Sequence, residues 1–147
     1  MSQLLPWKEK ALTASSKQRK TESAFWQQLK RALKKHHPDW RPTRIESTAT
    51  LGVPDVLIAA DGNFGMWELK VCHANAVRIS PHQIAFAETH RDYPVWTIVC
   101  HVTRMGEIIK AYSADQMFDL AQLGCKHTPR LEITPPDWNA LFQLIKP

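Results

Sequence analysis

Two short strand-like stretches around a turn constrain the fold of this chain more than any other feature of its sequence. Asp55 to Ala60 has the length and apolar character of a strand, and Met66 to Cys72 has the pattern of a strand that returns beside it. The segment between them, Asp61 to Gly65, is rich in residues that tolerate a positive φ, which favours a β-hairpin. The longest apolar runs of the chain, such as Val56 to Ala60 and Val95 to Cys100, are far shorter than the roughly 18 consecutive apolar residues of a membrane span, so we expect no transmembrane helix.

The rest of the pattern predicts helices and strands in mixed order. A helix is expected over Thr21 to His37, because Phe25, Leu29 and Leu33 recur on one stripe. Strands are also expected at Arg44 to Thr48, Val95 to Thr103 and Glu107 to Ala111, and helices at Pro81 to His90, Ser113 to Leu123 and Trp138 to Ile145. This order of elements predicts an α/β fold with a mixed central sheet flanked by helices.

Positive charge is concentrated in the first third of the chain. Residues 1 to 44 contain 11 basic and 3 acidic residues, a net charge of +8, whereas the whole chain of 147 residues carries +5. Such a segment is typical of a phosphate-binding surface or of a solvated basic face, and charge alone leaves both interpretations open. The basic candidates for phosphate contacts are Lys30, Arg31, Lys34, Lys35, Arg41 and Arg44.

The cysteines give no sign of a disulfide framework. Cys72, Cys100 and Cys125 are odd in number and lie at least 25 positions apart, and the histidines show no zinc-site spacing with them. We therefore expect reduced thiols. The N-terminal residues show no secretory signal, so we expect a cytoplasmic protein.

An acidic and a basic side chain share one face of the returning strand. Glu68 and Lys70 are two positions apart, and side chains in a strand alternate between faces. With a turn centred near Gly62 and Asn63, Asp55 is expected opposite Lys70 to within one residue, with Glu68 as its diagonal neighbour. Two carboxylates this close repel unless a cation lies between them, and a hard divalent cation is the usual one. The alternative is an ordinary surface hairpin with a salt bridge between Glu68 and Lys70.

These groups suit phosphodiester hydrolysis. The reaction needs an activated water, positive charge beside the phosphate oxygens and assistance to the leaving oxygen. One or two Mg²⁺ ions held by Asp55 and Glu68 would provide the first and the last. Lys70 would hold or deprotonate the water, or stabilise the charged transition state, and the backbone carbonyl of Leu69 is a further candidate ligand.

Two other residues have both a functional and a structural interpretation. Glu22 lies in the first turn of the first helix and is expected to face the body of the protein. It is either a metal ligand, directly or through water, or a residue that favours the positive end of the helix dipole. Gln83 follows a helix-capping Ser80 by three residues, which capping alone would explain.

Three motifs follow one another along the chain: Gly52-x-Pro54-Asp55, Glu68-x-Lys70 and Ser80-x-x-Gln83. This series resembles the PD-(D/E)xK nuclease superfamily, and within it the compact VRR-NUC nucleases and Holliday-junction resolvases. The resemblance covers residues 21 to 112 and includes the order of elements. It implies a restriction-endonuclease-like core in which Asp55 and Glu68 bind Mg²⁺ and Lys70 is catalytic. It also implies that Glu22 joins the metal site and that Gln83 supports it.

The function implied by the resemblance is that of a Mg²⁺-dependent DNA endonuclease, with Mn²⁺ as a substitute, which leaves 5′-phosphate ends. We expect a nuclease domain over residues 21 to 123, after a basic arm at 1 to 20 and before a tail at 124 to 147. The chain leaves little room for a sequence-reading domain, which favours branched DNA, such as a Holliday junction in recombination or repair, as the substrate. Paired incision needs two sites, so we expect a homodimer, with the tail as a possible contact.

Other functions remain open at this point. Within the same class, the alternative is a nuclease of flaps, nicks or single strands in DNA repair or processing. A non-catalytic DNA-binding module and a protein-interaction factor with a basic helix are alternatives of other classes. The resemblance implies a bacterial or phage protein that acts inside the bacterial cell.

Overall fold

A computed structural model describes residues 19–45, 50–135 and 137–147. In these ranges the chain forms four α-helices: α1 (Glu22–His36), α2 (Pro81–Thr89), α3 (Met117–Leu123) and α4 (Trp138–Ile145). It forms six strands: β1 (Arg41–Arg44), β2 (Val56–Ala60), β3 (Asn63–Cys72), β4 (Val95–Thr103), β5 (Gly106–Ser113) and β6 (Leu131–Ile133). Short 3-10 helical turns at Ala114–Gln116 and Gly124–Lys126 flank α3.

The six strands form one mixed sheet in the order β1-β2-β3-β4-β5-β6. Neighbouring strands are antiparallel except β3 and β4, which are parallel and are connected through α2. The predicted α/β fold with a mixed sheet flanked by helices is therefore confirmed at this level.

Alternating side chains divide the core into two layers. On one face, α1 and α4 cover the sheet in a cluster that includes Phe25, Leu29, Trp67, Ile98 and Phe142. On the other face, α2 and α3 pack over a cluster that includes Ala87, Val99, Tyr112, Met117 and Leu120. Because both faces are covered, a charged side chain that points from a central strand is enclosed by protein unless it lies near an open end of the sheet.

The first helix begins at Glu22, one residue after the predicted start, and α2 begins at the predicted Pro81. Thr21 caps α1, since its Oγ1 accepts a hydrogen bond of 3.0 Å from the N–H of Ala24. Ser80 caps α2 in the same way, with Pro81 at the first helical position. α1 ends at His36, one residue before the predicted end, and Pro38 follows its cap.

The hairpin turn is shorter than predicted. Ala60 pairs with Asn63, so only Asp61 and Gly62 form the turn, with φ values of 51° and 81°. Positive φ at both positions is the signature of a type I′ turn, for which Asp-Gly is a favoured sequence. Because this tight turn needs no further residue, β3 begins at Asn63 and not at the predicted Met66.

Two edge elements differ from the sequence-based expectation. The first strand is predicted at Arg44 to Thr48, but β1 covers Arg41–Arg44, and residues 46–49 lie outside the described ranges. Pro42 within β1 is tolerated because β1 is an edge strand that pairs only with β2. No sequence signal predicts β6, because three residues are too few to show a periodicity.

The segment after residue 123 is part of the same packed unit in the described ranges. β6 pairs with β5, and α4 buries Trp138, Leu141, Phe142 and Ile145. The predicted dimer contact of this segment stays a prediction. Of the predicted basic arm, residues 1–18 lie outside the described ranges, and Lys20 forms an ion pair of 2.9 Å with Glu107. None of the described helices has both the length and the apolar character needed to cross a bilayer.

Gly52 is the glycine whose replacement tests the packing of the loop before β2. It has φ +86°, and a Cβ at this position would lie 2.3 Å from the backbone oxygen of His82 at the start of α2. Gly62 has a similar φ of +81°, but a Cβ there would meet nothing within 4 Å, so it is a matched control.

We expect Gly62→Ala to lower the free energy of unfolding by about 1–2 kcal/mol, the cost of the left-handed conformation alone. Gly52→Ala should cost at least about 2 kcal/mol more, because a backbone collision is added to the same strain. Urea denaturation of both variants measures the difference. Equal losses in the two variants would show that the loop does not depend on this close approach.

Candidate active site

The candidate site lies where β2 and β3 part. The ladder between them ends at the pair of Val56 and Trp67, but β3 continues to Cys72. At this point the side chain of Asp55 replaces a strand partner, since its Oδ2 accepts a hydrogen bond of 3.0 Å from the N–H of Leu69. The backbone oxygen of Asp55 accepts instead from the N–H of Ile45, beyond the end of β1, at 2.6 Å.

Asp55 and Glu68 lie on the same face of the sheet. Val56 and Trp67 form the last pair and are both buried in the α1 layer, so the preceding and following residues point to the α2 layer. Continuing this register aligns Asp55 with Glu68. The prediction that Asp55 lies opposite Lys70 is wrong by two positions, because the turn is centred one residue earlier than expected. The predicted convergence of the two carboxylates on one face is retained.

Glu68 and Lys70 form a buried network with Gln83 of α2. The Nε2 of Gln83 donates to Oε1 of Glu68 at 2.8 Å, and the Nζ of Lys70 donates to Oε1 of Gln83 at 3.2 Å. The Nζ of Lys70 lies 3.5 Å from Oε1 of Glu68. Glu68 and Lys70 are only 4% and 9% exposed, so this ion pair is not the ordinary surface salt bridge considered as the alternative.

Gln83 both caps α2 and contacts the charged side chains of β3. Its N–H donates to Oγ of Ser80 at 3.1 Å, and its Oε1 accepts from the N–H of Ser80 at 3.0 Å, which completes a capping box. The same side chain contacts Glu68 and Lys70. The cap of α2 therefore fixes the position of a side chain that holds both charged groups.

One oxygen of Glu68 makes no hydrogen bond within the described part of the chain. Its Oε2 is buried and accepts no hydrogen bond from any described residue. Burial raises the pKa of Glu68 from its ordinary value of 4.5 to about 7; the carboxylate of Asp55 acts in the same direction, and Lys70 opposes it. A buried acceptor without a donor is costly, and a cation beside it would remove both the missing contact and the repulsion.

Glu22 lies at the rim of the site. It is exposed at the N-terminus of α1, yet it interacts electrostatically with the site. Desolvation by the surrounding protein raises the pKa of Glu22, Lys70 lowers it, and Asp55 raises it further. The structure thus brings this carboxyl group to the same charge cluster, although the residue is more open to solvent than its expected position facing the protein body suggests.

The backbone of Leu69 faces the same side as Asp55. In an extended strand the N–H and C=O of one residue point to the same neighbour, and the N–H of Leu69 is bound to Asp55. Its carbonyl therefore also points to the space beyond the end of β2. Its side chain is buried in the α1 layer, which fixes this orientation.

A cleft beside the site contains basic residues that no sequence motif indicates. Glu22 and Lys70 line it together with Arg19, His73 and Arg78. These residues come from the segment before α1 and from the loop after β3, so no motif or periodicity connects them along the chain. Their proximity follows only from the fold.

The predicted phosphate-contact residues do not form one patch. Arg44, at the end of β1 opposite Val56, is close enough to the site to influence the pKa of Glu22. Arg41 lies at the other end of β1, where it lines a pocket with Lys30, Lys34 and Trp40.

Arg31 and Lys35 line a second pocket on α1. From Glu22 to Lys35 the helix rises about 20 Å, so most of the basic surface of α1 lies well away from the carboxylates.

The thiols are free, as predicted, but two of them are not isolated. Cys72, His101 and Cys125 form a group whose ligand atoms lie within 4.8 Å of one another. The histidines show no zinc-site spacing along the chain, yet the fold brings His101 close to two of the cysteines. The three residues come from different elements, so their spacing along the sequence carries no signal.

Sequence comparison identifies no relative of this chain. No model of a known protein family matches the chain, and a search of curated proteins finds no similar sequence.

Glu68 makes the stability of the metal-free protein depend on pH. Its pKa of about 7 in the folded state exceeds the ordinary 4.5, so between these values the folded state holds a proton that the unfolded state releases. The contribution of Glu68 to the free energy of unfolding is therefore full below about pH 4.5 and is lost as pH rises through 7.

We expect Glu68→Gln to remove this loss. Relative to the wild type, its free energy of unfolding should rise between pH 5 and pH 8 by an amount on the order of 2 kcal/mol. Urea denaturation with a chelator present measures it, and Glu88→Gln, at an exposed glutamate of α2, is the matched control. A difference from the wild type that is the same at both pH values would contradict the assignment.

Proposed function

We propose that this protein is a Mg²⁺-dependent DNA endonuclease with a restriction-endonuclease-like core of the PD-(D/E)xK type. The observation that carries the proposal is the convergence of Asp55, Glu68 and Lys70 at the fork between β2 and β3, with Oε2 of Glu68 buried and unpaired among the described residues. Such a group of charged side chains can hold a metal cation beside a phosphodiester.

The donors at the fork fit a hard divalent cation. Asp55 and Glu68 offer carboxylate oxygens, and the backbone of Leu69 presents its carbonyl to the same space. Mg²⁺ prefers oxygen ligands and keeps several waters, so Glu22 at the rim is placed to act through water. When bound, Mg²⁺ supplies positive charge to the phosphate and helps to generate the nucleophile from water.

Lys70 is the residue that we expect to act on the substrate. Its Nζ is held by Oε1 of Gln83 at 3.2 Å and by Oε1 of Glu68 at 3.5 Å. This ammonium group can hold the attacking water or offset the charge that develops on the phosphate oxygens. Gln83 is a positioning residue, because it sets Lys70 and Glu68 relative to each other and is itself fixed by Ser80.

Catalysis explains the buried carboxylate of Glu68 beside Asp55 better than DNA binding alone does. Two carboxylates repel a polyanion, and burying Glu68 raises its pKa to about 7, so its charged form destabilises the fold. A binding module gains nothing from this arrangement. A hydrolase benefits from two carboxylates this close, because their combined negative charge attracts the cation that the reaction uses.

The arrangement of basic residues supports recognition of DNA shape. Arg19 and Arg78 line the cleft beside Lys70, and Arg44 lies at the fork. The exposed lysines of α1 add separate positive charges at up to about 20 Å from the N-terminus of the helix. Contacts spread in this way suit the phosphates of branched DNA, and we propose a Holliday junction as the substrate and a homodimer as the form that cuts both strands.

A cleavage assay tests the proposal. Labelled four-way junction, linear duplex, flap and single-stranded DNA are incubated with the protein and Mg²⁺ and compared for the wild type, Asp55→Asn and Lys70→Ala. Both variants should lose at least about 100-fold in rate and retain binding, because they remove cation binding or charge stabilisation. Asp61→Asn is the control, since Asp61 lies at the far end of the same hairpin and pairs with Lys146.

The outcomes separate the candidate functions. Paired symmetric cuts in the junction alone, lost in both site variants but not in Asp61→Asn, would support a resolvase. Cutting of all four substrates would retain the nuclease and replace the junction with a general repair or processing role. Tight, salt-sensitive binding without cleavage would overturn the nuclease in favour of a binding module.

A further inference from the structure

A second group of ligating side chains lies apart from the carboxylates. Cys72 and Cys125 are buried, His101 is half-buried, and one ligand atom of each lies within 4.8 Å of the others. Among the described residues, it is the group of three histidine, cysteine or acidic side chains whose ligand atoms all lie within 4.8 Å of one another. We propose that Cys72, His101 and Cys125 form a zinc-binding site.

The sheet brings the first two ligands together. β3 and β4 are parallel, and their register places Cys72 directly beside His101. Residues paired in this way point to the same face of a sheet. The third ligand, Cys125, lies in the 3-10 turn Gly124–Lys126 that follows α3 on that face.

His101 is prepared as a metal ligand. Its Nε2 lies 2.7 Å from the backbone oxygen of Ala74. A carbonyl oxygen can only accept, so Nε2 carries the proton and Nδ1 presents its lone pair. Nδ1 is buried and has no partner among the described residues. Metal-binding histidines commonly show this arrangement, in which one ring nitrogen binds a backbone carbonyl and the other binds the metal.

Asn75 fixes the turn that carries Cys125. Its backbone oxygen accepts from the N–H of Cys125 at 2.8 Å, its Oδ1 accepts from the N–H of Lys126 at 2.9 Å, and its Nδ2 donates to the oxygen of Leu123 at 2.8 Å. Gly124 packs so closely on Asn75 that a Cβ would lie 2.1 Å from its backbone oxygen. Cys125 is therefore held against Cys72 by the backbone and not by chance contact of two flexible side chains.

Lys110 strengthens this support from the sheet. Its buried Nζ donates to the backbone oxygen of Cys125 at 3.0 Å. The turn is thus tied to β5 as well as to the loop after β3.

The ligand types select the metal. Two sulfurs and an imidazole suit Zn²⁺, which binds at about 2.3 Å to sulfur and about 2.0 Å to nitrogen. Sulfur atoms bound to one tetrahedral zinc lie about 3.7 Å apart, which the cluster reaches with little movement. The all-oxygen donors of Asp55 and Glu68 suit a harder cation, so the two sites differ in chemistry as well as in place.

A metal-retention experiment tests the site. The full-length protein is stripped of metal under reducing conditions, incubated with one equivalent of Zn²⁺ and dialysed, and its zinc content is measured. We expect about one zinc per chain in the wild type and in Asp55→Asn, and loss of that zinc in Cys72→Ser, Cys125→Ser and His101→Ala. Cys100→Ala is the matched control, because Cys100 is a buried cysteine in the opposite core layer.

A spectroscopic measurement on the unmutated chain keeps the test independent of folding defects in the variants. With Co²⁺ in place of Zn²⁺, we expect thiolate-to-cobalt charge transfer and the intense visible bands of a tetrahedral ion. Either zinc retention unaffected by Cys125→Ser or a cobalt spectrum without thiolate bands would overturn the proposal. So would a disulfide between Cys72 and Cys125 in protein that takes up no metal.

Discussion

The hydrogen bond from the N–H of Leu69 to the carboxylate of Asp55 is the contact on which the site depends. β2 cannot continue beside β3, because the chain before it passes Gly52 and Pro54 and packs against the start of α2. The side chain of Asp55 takes the place of the missing strand. One residue therefore ends the ladder, orients the backbone of β3 and presents a carboxylate to the face that carries Glu68.

The second constraint is electrostatic. Glu68 is held by Gln83 and Lys70 on one oxygen only, and its other oxygen is buried without a described partner. Burial and Asp55 raise its pKa to about 7, so its ionised form lowers stability. A local loss of stability of this kind is typical of functional sites, where a substrate or cation supplies the missing interaction. The zinc site proposed for Cys72, His101 and Cys125 would hold the end of the same strand by different chemistry.

The sequence predicted those features whose signals are local. The capping residues located α1 and α2, the apolar run Val95–Thr103 matched β4, and alternation placed Glu68 and Lys70 on one face. The predicted pairing of β2 with β3 was wrong by two positions, because Asp-Gly and Gly-Asn are both plausible turn centres. Features assembled from distant segments have no local signal at all. The approach of Arg78 to Lys70 and of Cys125 to Cys72 depends on how loops cross the sheet ends.

Crystals grown with Mn²⁺, whose position is identified by its anomalous scattering, would show whether the two carboxylates hold a metal ion. We expect an anomalous peak at the fork, about 2.1 Å from a carboxylate oxygen of both Asp55 and Glu68. This peak should be absent in crystals of Asp55→Asn. A well-ordered fork without such a peak, with Oε2 of Glu68 bound to a protein donor instead, would show that Asp55 and Glu68 do not bind a metal ion.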